Sequence, residues 1–347
     1  MIDLIFTLDY EIYGNGAGDL RELVYEPTER LKDIFIARNA RFVNFVEAAE
    51  FEKIDALDTD PAIGLVKEQI RELFRTGFEL GLHLHPQWCN AYREGDRWVL
   101  DASEYNLCTL PEARVSQIVQ GSIAYLRHVV DQTEFTPLSF RAGNWLFQPT
   151  EVAARVLAEN GMKIDSSVFK GGVQHNHGLD YRPSLGNGCC WRFGSDVNHA
   201  DPTGAWVEMP IHAELKPIWK MPTAKRMNLS KAAGGPAPRT REKVNRLRDF
   251  LRFRYPMKLD FCRMTLKELT QMMTSVIRAH RSSPDSYWPV VAIGHSKDLR
   301  DFGTVNDFLS FLMENGIRIC TFEEAYPKCL SSLAATTEQV DRRTLQA

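Results

Sequence analysis

The sequence predicts an α/β fold, a mainly parallel sheet or barrel. Two observations predict it: short apolar runs alternate with stretches of helical period, and ionisable residues recur where the apolar runs end. With 347 residues, 44% hydrophobic and 25% charged, the chain suits one large domain or two medium ones. That composition excludes collagen, a disordered tail and a disulfide mini-scaffold. No repeat of fixed period appears, which excludes a solenoid or propeller, and nothing divides the chain cleanly in two.

Residues 2–8 and 41–46 read as buried strands, and further strands fall near 79–84, 138–141, 162–165, 206–209, 290–294 and 318–321. Between them lie helical stretches at 27–38, 61–75, 111–130, 150–160, 266–280 and 305–315. Thr150, Thr265 and Thr304 are the expected N-caps, and Gly77, Gly161 and Gly316 the expected C-terminal stops. Residues 231–241, rich in Gly, Pro and Ala without periodicity, read as a loop. The polar tail 331–347 is expected to be disordered, leaving 1–330 as the folded domain.

Seven cysteines, of which only Cys189 and Cys190 are adjacent, fit neither a disulfide framework nor a paired CxxC zinc site. A reducing cytosol is the expected compartment. The opening MIDLIFTLDYE carries Asp3, Asp9 and Glu11 where an export signal requires an apolar core, and no run of about 18 uncharged apolar residues follows. The protein is therefore expected in the cytoplasm, without a membrane-spanning helix.

The net charge of −3 conceals an uneven distribution. Residues 216–258 carry thirteen Lys or Arg against two acids, while the remaining chain carries 29 basic and 43 acidic residues. Within this basic insertion Val244, Leu247, Phe250 and Leu251 recur near helical spacing, with Arg246, Arg248, Arg252 and Arg254 around them. Such a basic amphipathic helix suits the pyrophosphate of a nucleotide sugar, a lipid-linked glycan or an anionic membrane surface; the plainer alternative is a solvated face paired with the acidic remainder. No nucleic-acid reading motif accompanies it, so nucleic acid is not an expected partner.

In a parallel barrel, the C-terminal strand ends converge on one face. That rule gathers Asp9 and Glu11; His83, His85 and Gln87; Arg141 and Asn144; Asp165; and His295. Asp9 and Glu11 point to the same side of an extended chain, as do His83 and His85. Carboxylate oxygens and imidazoles together are the donors that zinc or a related divalent ion takes, and a buried carboxylate pair requires a counter-ion, a proton or a metal.

LDYE at 8–11, GFELGLHLHPQW at 77–88, SFRAGNW at 139–145, DSS at 165–167 and IGHSKDL at 293–299 resemble, in order, the five motifs of the polysaccharide deacetylase family, the NodB-homology group of carbohydrate esterases. The resemblance spans nearly the whole chain. It implies a distorted (β/α) barrel of the NodB-homology type that hydrolyses an N- or O-acetyl group from a sugar with one divalent metal, usually zinc. Carried over by position, Asp9 matches the catalytic base, Glu11 and His83 metal ligands, Arg141 the arginine orienting the base, His295 the catalytic histidine and Asp165 the acid that tunes it. The chain departs from the pattern at Gln87, where the family has its second metal histidine. Three outcomes stay open: His85 replaces it, Gln87 binds through its carbonyl oxygen, or the metal site is degraded.

The chemistry stands without the family. Amide hydrolysis near neutral pH calls for an acidified water and a polarised carbonyl; Asp9 takes a proton, His295 as imidazolium donates one to the leaving amine, and Arg141 keeps Asp9 ionised. Tyr10, Tyr13, Trp88, Trp145, Phe169 and Trp191 flank the motifs, and flat rings suit sugar faces. Tyr10, Trp88, Asn144, Trp145 and Trp191 are the expected substrate contacts, and His175, His177 and His212 further pocket candidates. The sequence thus points to a hydrolase acting on a precursor of a bacterial surface polysaccharide such as O-antigen of lipopolysaccharide. The alternatives are a non-catalytic carbohydrate-binding relative and a peripheral membrane scaffold.

Overall fold

The first strand is buried from Asp3 to Tyr10, as a parallel strand covered on both faces must be. The computed structural model describes residues 1–232 and 253–344. In chain order the strands used below are β1 (Ile2–Tyr10), β2 (Val43–Glu47), β3 (Glu79–Leu84), β4 (Ser139–Ala142), β5 (Ile164–Asp165), β6 (Trp191–Phe193), β7 (Trp206–Glu208), β8 (Ala213–Pro217), β9 (Arg254–Lys258), β10 (Trp288–His295) and β11 (Arg318–Cys320). The main sheet runs β6-β7-β5-β4-β3-β2-β1-β10, with β11 as a ninth strand also paired to β1. All neighbours are parallel except the edge pair β6 and β7.

Unusually for a strand, β1 has three partners. Along one edge lies β10, from Ile2 opposite Trp288 to Asp9 opposite His295. The other edge is divided: β11 covers Asp3 to Ile5 and β2 covers Thr7 to Tyr10. At the far side, Ile211 just past β7 forms parallel bridges with Val291 of β10 and with Phe169, so the curled sheet is joined through isolated bridges. This is the distorted (β/α) barrel that the sequence motifs implied.

Helices pack outside by their apolar stripes. In the helix Ile63–Arg75 the buried residues are Ile63, Val66, Gln69, Ile70 and Leu73, the spacing of one helical face. Gly77, Gly161 and Gly316 end helices at φ of 81°, 95° and 67°, a left-handed region that glycine enters without a Cβ clash. Thr265 caps its helix in a reciprocal box with Glu268. The other two expected caps differ. Thr150 donates its hydroxyl to the Phe147 carbonyl and caps nothing, and Asp301 rather than Thr304 accepts the first-turn amide of the next helix.

The C-terminal tail is also corrected. A helix runs from Phe322 to Thr344, through most of the segment expected to be disordered. Its first turns bury Phe322, Ala325 and Cys329, and Leu330 and Leu333 continue that face against the core. The basic insertion is rooted in an antiparallel hairpin, with Ala213 of β8 opposite Lys258 of β9. Its expected amphipathic helix at 244–254 lies outside the described residues, apart from Phe253 and, on β9, Arg254. Among the described residues no helix is long and apolar enough to cross a membrane.

Candidate active site

Strand register assembles the site. In β2, β3 and β4, Glu47, His83 and Arg141 stand opposite one another in a row. In β1 and β10, Asp9 stands opposite His295. Parallel pairing therefore brings residues up to 286 positions apart to one end of the sheet, around a cavity of about 230 Å³ that Asp9, Glu11, His83, His85 and His295 line.

Asp9 is held from behind. Arg141, fully buried, donates from Nη1 to Asp9 Oδ1 at 2.6 Å and to Thr7 Oγ1 at 2.9 Å, while its Nε donates to the Ser166 carbonyl at 2.8 Å. Its guanidinium also lies 4.3 Å above the Phe45 ring. Burial alone would raise the pKa of Asp9, but Arg141, His83 and His295 outweigh it and hold the carboxyl below its ordinary value. Asp9 is thus an ionised base with its rotamer fixed.

Glu11 collects three positive or ionisable neighbours. Its Oε2 lies 3.1 Å from His85 Nε2 and 3.7 Å from His83 Nε2, and its Oε1 accepts from Lys297 Nζ at 2.8 Å. Against burial, Lys297 and the two histidines hold it well below the carboxylate range. One donor atom each from Glu11, Glu47, His83 and His85 lies within 4.8 Å of the others. Two of these residues carry a buried polar atom without a hydrogen-bond partner, His83 Nε2 and Glu47 Oε1, as a ligand set for an ion would. His83 Nδ1 is 2.9 Å from the Arg141 carbonyl, which can only accept, so Nε2 is the nitrogen left facing the cluster. Burial depresses the pKa of His83, yet Asp9, Glu11 and Glu47 lift it to about 9; burial and Glu11 lift Glu47 to about 8. The donor set fits a divalent cation of the zinc type.

Of the two candidates for the missing histidine's place, His85 lies in the cluster with Glu11, Glu47 and His83 and lines the cavity, and Gln87 does neither. Gly143 leaves room for His85: a Cβ there would lie 2.4 Å from the Leu84 carbonyl and 2.8 Å from the His85 ring. Asn144 and Trp145 follow with φ of 55° and 60°, a left-handed pair that turns both side chains toward the cavity mouth. Asn144 Nδ2 lies 3.3 Å from His85 Nδ1 and orients that ring. Gln87 is buried beyond the cavity lining, its Oε1 without a partner.

His295 Nε2 is 3.5 Å from Asp9 Oδ2, and its Nδ1 is buried and unbonded. Here the tuning expected of Asp165 is corrected. Asp165 accepts from the Ser167 amide and hydroxyl and pairs with Glu208, two carboxyls that burial pushes upward. The acids acting on His295 are Asp9, Glu11 and Asp298, and burial outweighs them, so the imidazole is lowered rather than raised in pKa.

Of the expected sugar contacts, Asn144 and Trp145 line the cavity and three others do not. Tyr10 alternates with Asp9 and Glu11 and faces the helical layer, its hydroxyl donating to Gln69 Oε1. Trp88 is buried edge-on against Trp98, 5.1 Å between centroids. Trp191 donates to the Val197 carbonyl and borders a separate groove with Leu185, Trp288 and Leu333. Phe169 backs Trp145 at 5.6 Å, His177 stacks on Tyr105 at 4.5 Å, and His175 lies on the same short turn. His212 is buried outside the lining, its pKa pushed down to about 4 by burial and Lys216. Sequence reasoning missed Glu47, although it ends an apolar strand as the other ligands do, and it missed Lys258, Asp260, Arg263 and Lys297.

No protein-family model and no curated protein matches the chain. Solved structures do. A candidate polysaccharide deacetylase from Mycobacterium smegmatis is similar over 97% of this chain and 91% of its own, at 14% identity and a TM-score of 0.53. The allantoinase PuuE matches over 94% and 89%, at 11% identity and 0.49. A probable polysaccharide deacetylase from Pseudomonas aeruginosa PAO1 matches over 94% and 90%, at 13% identity and 0.49. The chain has the α/β fold of the first of these structures, end to end.

Proposed function

We propose that this chain is a metal-dependent hydrolase that removes an acetyl or related acyl group from a sugar. One observation carries the reading: Glu11, Glu47, His83 and His85 bring one donor atom each within 4.8 Å of the others, with His83 Nε2 and Glu47 Oε1 lacking a hydrogen-bond partner, beside an Asp9 clamped by Arg141. Glu11, Glu47, His83 and His85 would hold the ion, and zinc suits this mixture of imidazole and carboxylate. When bound, the ion supplies Lewis acidity, acidifying a water molecule and polarising the acyl carbonyl. Asp9 takes the proton of the attacking water. Its low pKa makes it a poor resting place, and His295, neutral and 3.5 Å away, is placed to receive the proton and deliver it to the departing amine or alcohol. Trp145 and Asn144 form the wall against which a sugar ring rests. At about 230 Å³ the cavity is smaller than the roughly 300 Å³ of a typical ligand pocket, which suits the acyl group and part of one ring. We extend the reading to a cytoplasmic step on a precursor of a surface polysaccharide such as O-antigen, with which seven free thiols agree.

The test is acetate release from acetylated mono- and disaccharides by zinc-supplemented protein, beside Asp9→Asn. Turnover that falls about 10²- to 10⁴-fold in the variant supports the proposal; no release from any acetylated sugar at any zinc level refutes it. Lys297 favours a second reading. Its ammonium already neutralises Glu11, as a non-catalytic sugar-binding relative with a degraded metal site would require. Sugar affinity without zinc uptake or turnover would select that reading.

A further inference from the structure

Among the described residues Lys258, Arg263 and Lys297 line the cavity and Arg141 stands behind Asp9; of these four cations three are committed. Arg141 is bonded to Asp9, Lys297 to Glu11, and Arg263 to Asp298 through Nε and Nη2, both at 2.7 Å. The fourth is Lys258 at the end of β9. Among the described residues it has no carboxylate within ion-pair distance, and its Nζ rests 2.9 Å above the Trp145 ring and 4.6 Å from that of Phe169. The nearby acids are already occupied: Asp260 accepts from the amides of Cys262 and Arg263, and Asp9 from Arg141. A half-buried ammonium on an aromatic face, lining the cavity and without an ion-pair partner, is an unmet electrostatic demand.

We infer that Lys258 forms an anion subsite, which takes a carboxylate or phosphate carried by the sugar beside the acyl group to be removed; the inference rests on the sugar-hydrolase reading. Trp145 lies beneath the ammonium, so a ring stacked on that wall brings its acidic substituent within reach of Nζ. Burial lowers the pKa of Lys258 to about 7, with Arg263 and Arg141 adding to the effect and Asp260 and Asp9 opposing it. An anion bound here restores the charge that burial weakens.

The test is calorimetric binding of N-acetylglucosamine, its 6-phosphate and N-acetylmuramic acid to the full chain with chelator present, so that neither metal nor turnover is needed. One anionic sugar binds at least about tenfold tighter than the neutral one, as a charge-assisted hydrogen bond provides. The preference disappears in Lys258→Met and persists in Lys258→Arg, and whichever anionic sugar binds tighter identifies carboxylate or phosphate. Equal binding of all three sugars, no binding of any, or a preference that survives Lys258→Met overturns the inference. Lys258→Gln, with circular dichroism on each variant, separates lost charge from lost fold. Absence of acetate release beside an intact anionic preference would remove the hydrolase reading and leave the subsite standing.

Discussion

Lys297 Nζ lies 2.8 Å from Oε1 of Glu11, the carboxylate whose other oxygen faces both His83 and His85. One acid is thereby shared between an internal cation and the candidate ion site. Burial works against the ammonium, but Glu11 and Glu50 raise its pKa, so it stays charged in the ion-free protein.

Removing that ammonium exposes the competition. Lys297→Met leaves a buried carboxylate without its partner, which destabilises the ion-free protein by about 3–5 kcal/mol. Added zinc restores the loss and binds more tightly than to the wild type, because no lysine contends for Glu11. Thermal melts with and without zinc measure both effects. An unchanged melting temperature in the ion-free variant would show that the pair contributes nothing.

Glu47 is the proposed ligand that sequence reasoning missed, and metal content tests it. We expect about one zinc per chain in protein purified without chelator or His-tag, with affinity reduced about 10- to 100-fold or more in Glu47→Gln, His83→Ala and His85→Ala. Retention of metal by His85→Ala alone would return the place to Gln87 or water.

If the hydrolase proposal holds, Arg141 is expected to set the acid limb of activity. It lowers the pKa of Asp9, so Arg141→Met raises that pKa and moves the acid limb of kcat/KM to higher pH, with lower kcat throughout. A pH–rate profile with an unmoved acid limb would assign that limb to another group.

Asp3, fully buried, is bonded to Arg318 and Lys328, both partly exposed. Burial raises its pKa, but the two cations outweigh burial and lower it below 3.8. The unfolded chain therefore binds the proton first. The contribution, about 1–3 kcal/mol, is present above about pH 4 and is lost as pH falls through the folded value. Asp3→Asn should lower stability at pH 7 and flatten its decline below about pH 4, read by urea melts across pH. A parallel decline in both proteins would remove Asp3 from the account.

The parallel architecture and the gathering of Asp9, Glu11, His83, Arg141 and His295 were legible because parallel strands deliver their C-terminal ends to one face. The misplacement of Tyr10 was avoidable, since a residue between two that face the cavity must face away. Trp88 and Trp191 could not be placed by such parity, because a short helical turn and an edge strand determine where they point. The helix Ala48–Leu57 was hidden because it begins directly after Glu47, with no linker to mark the change of period. The same junction concealed Glu47 as a ligand. Lys258 was masked by the other charges of the basic segment, where the sequence gives no sign that one of them turns inward on a hairpin.

With β10 along one edge and β11 and β2 sharing the other, β1 has little local route to opening. Its amides should be among the last in the chain to exchange with solvent, releasing their protons at the pace of global unfolding. The spacing of Asp9 and Glu11 then persists until the whole domain unfolds. Heating should extinguish turnover and cooperative structure at the same temperature, with no interval in which a folded protein has lost its chemistry.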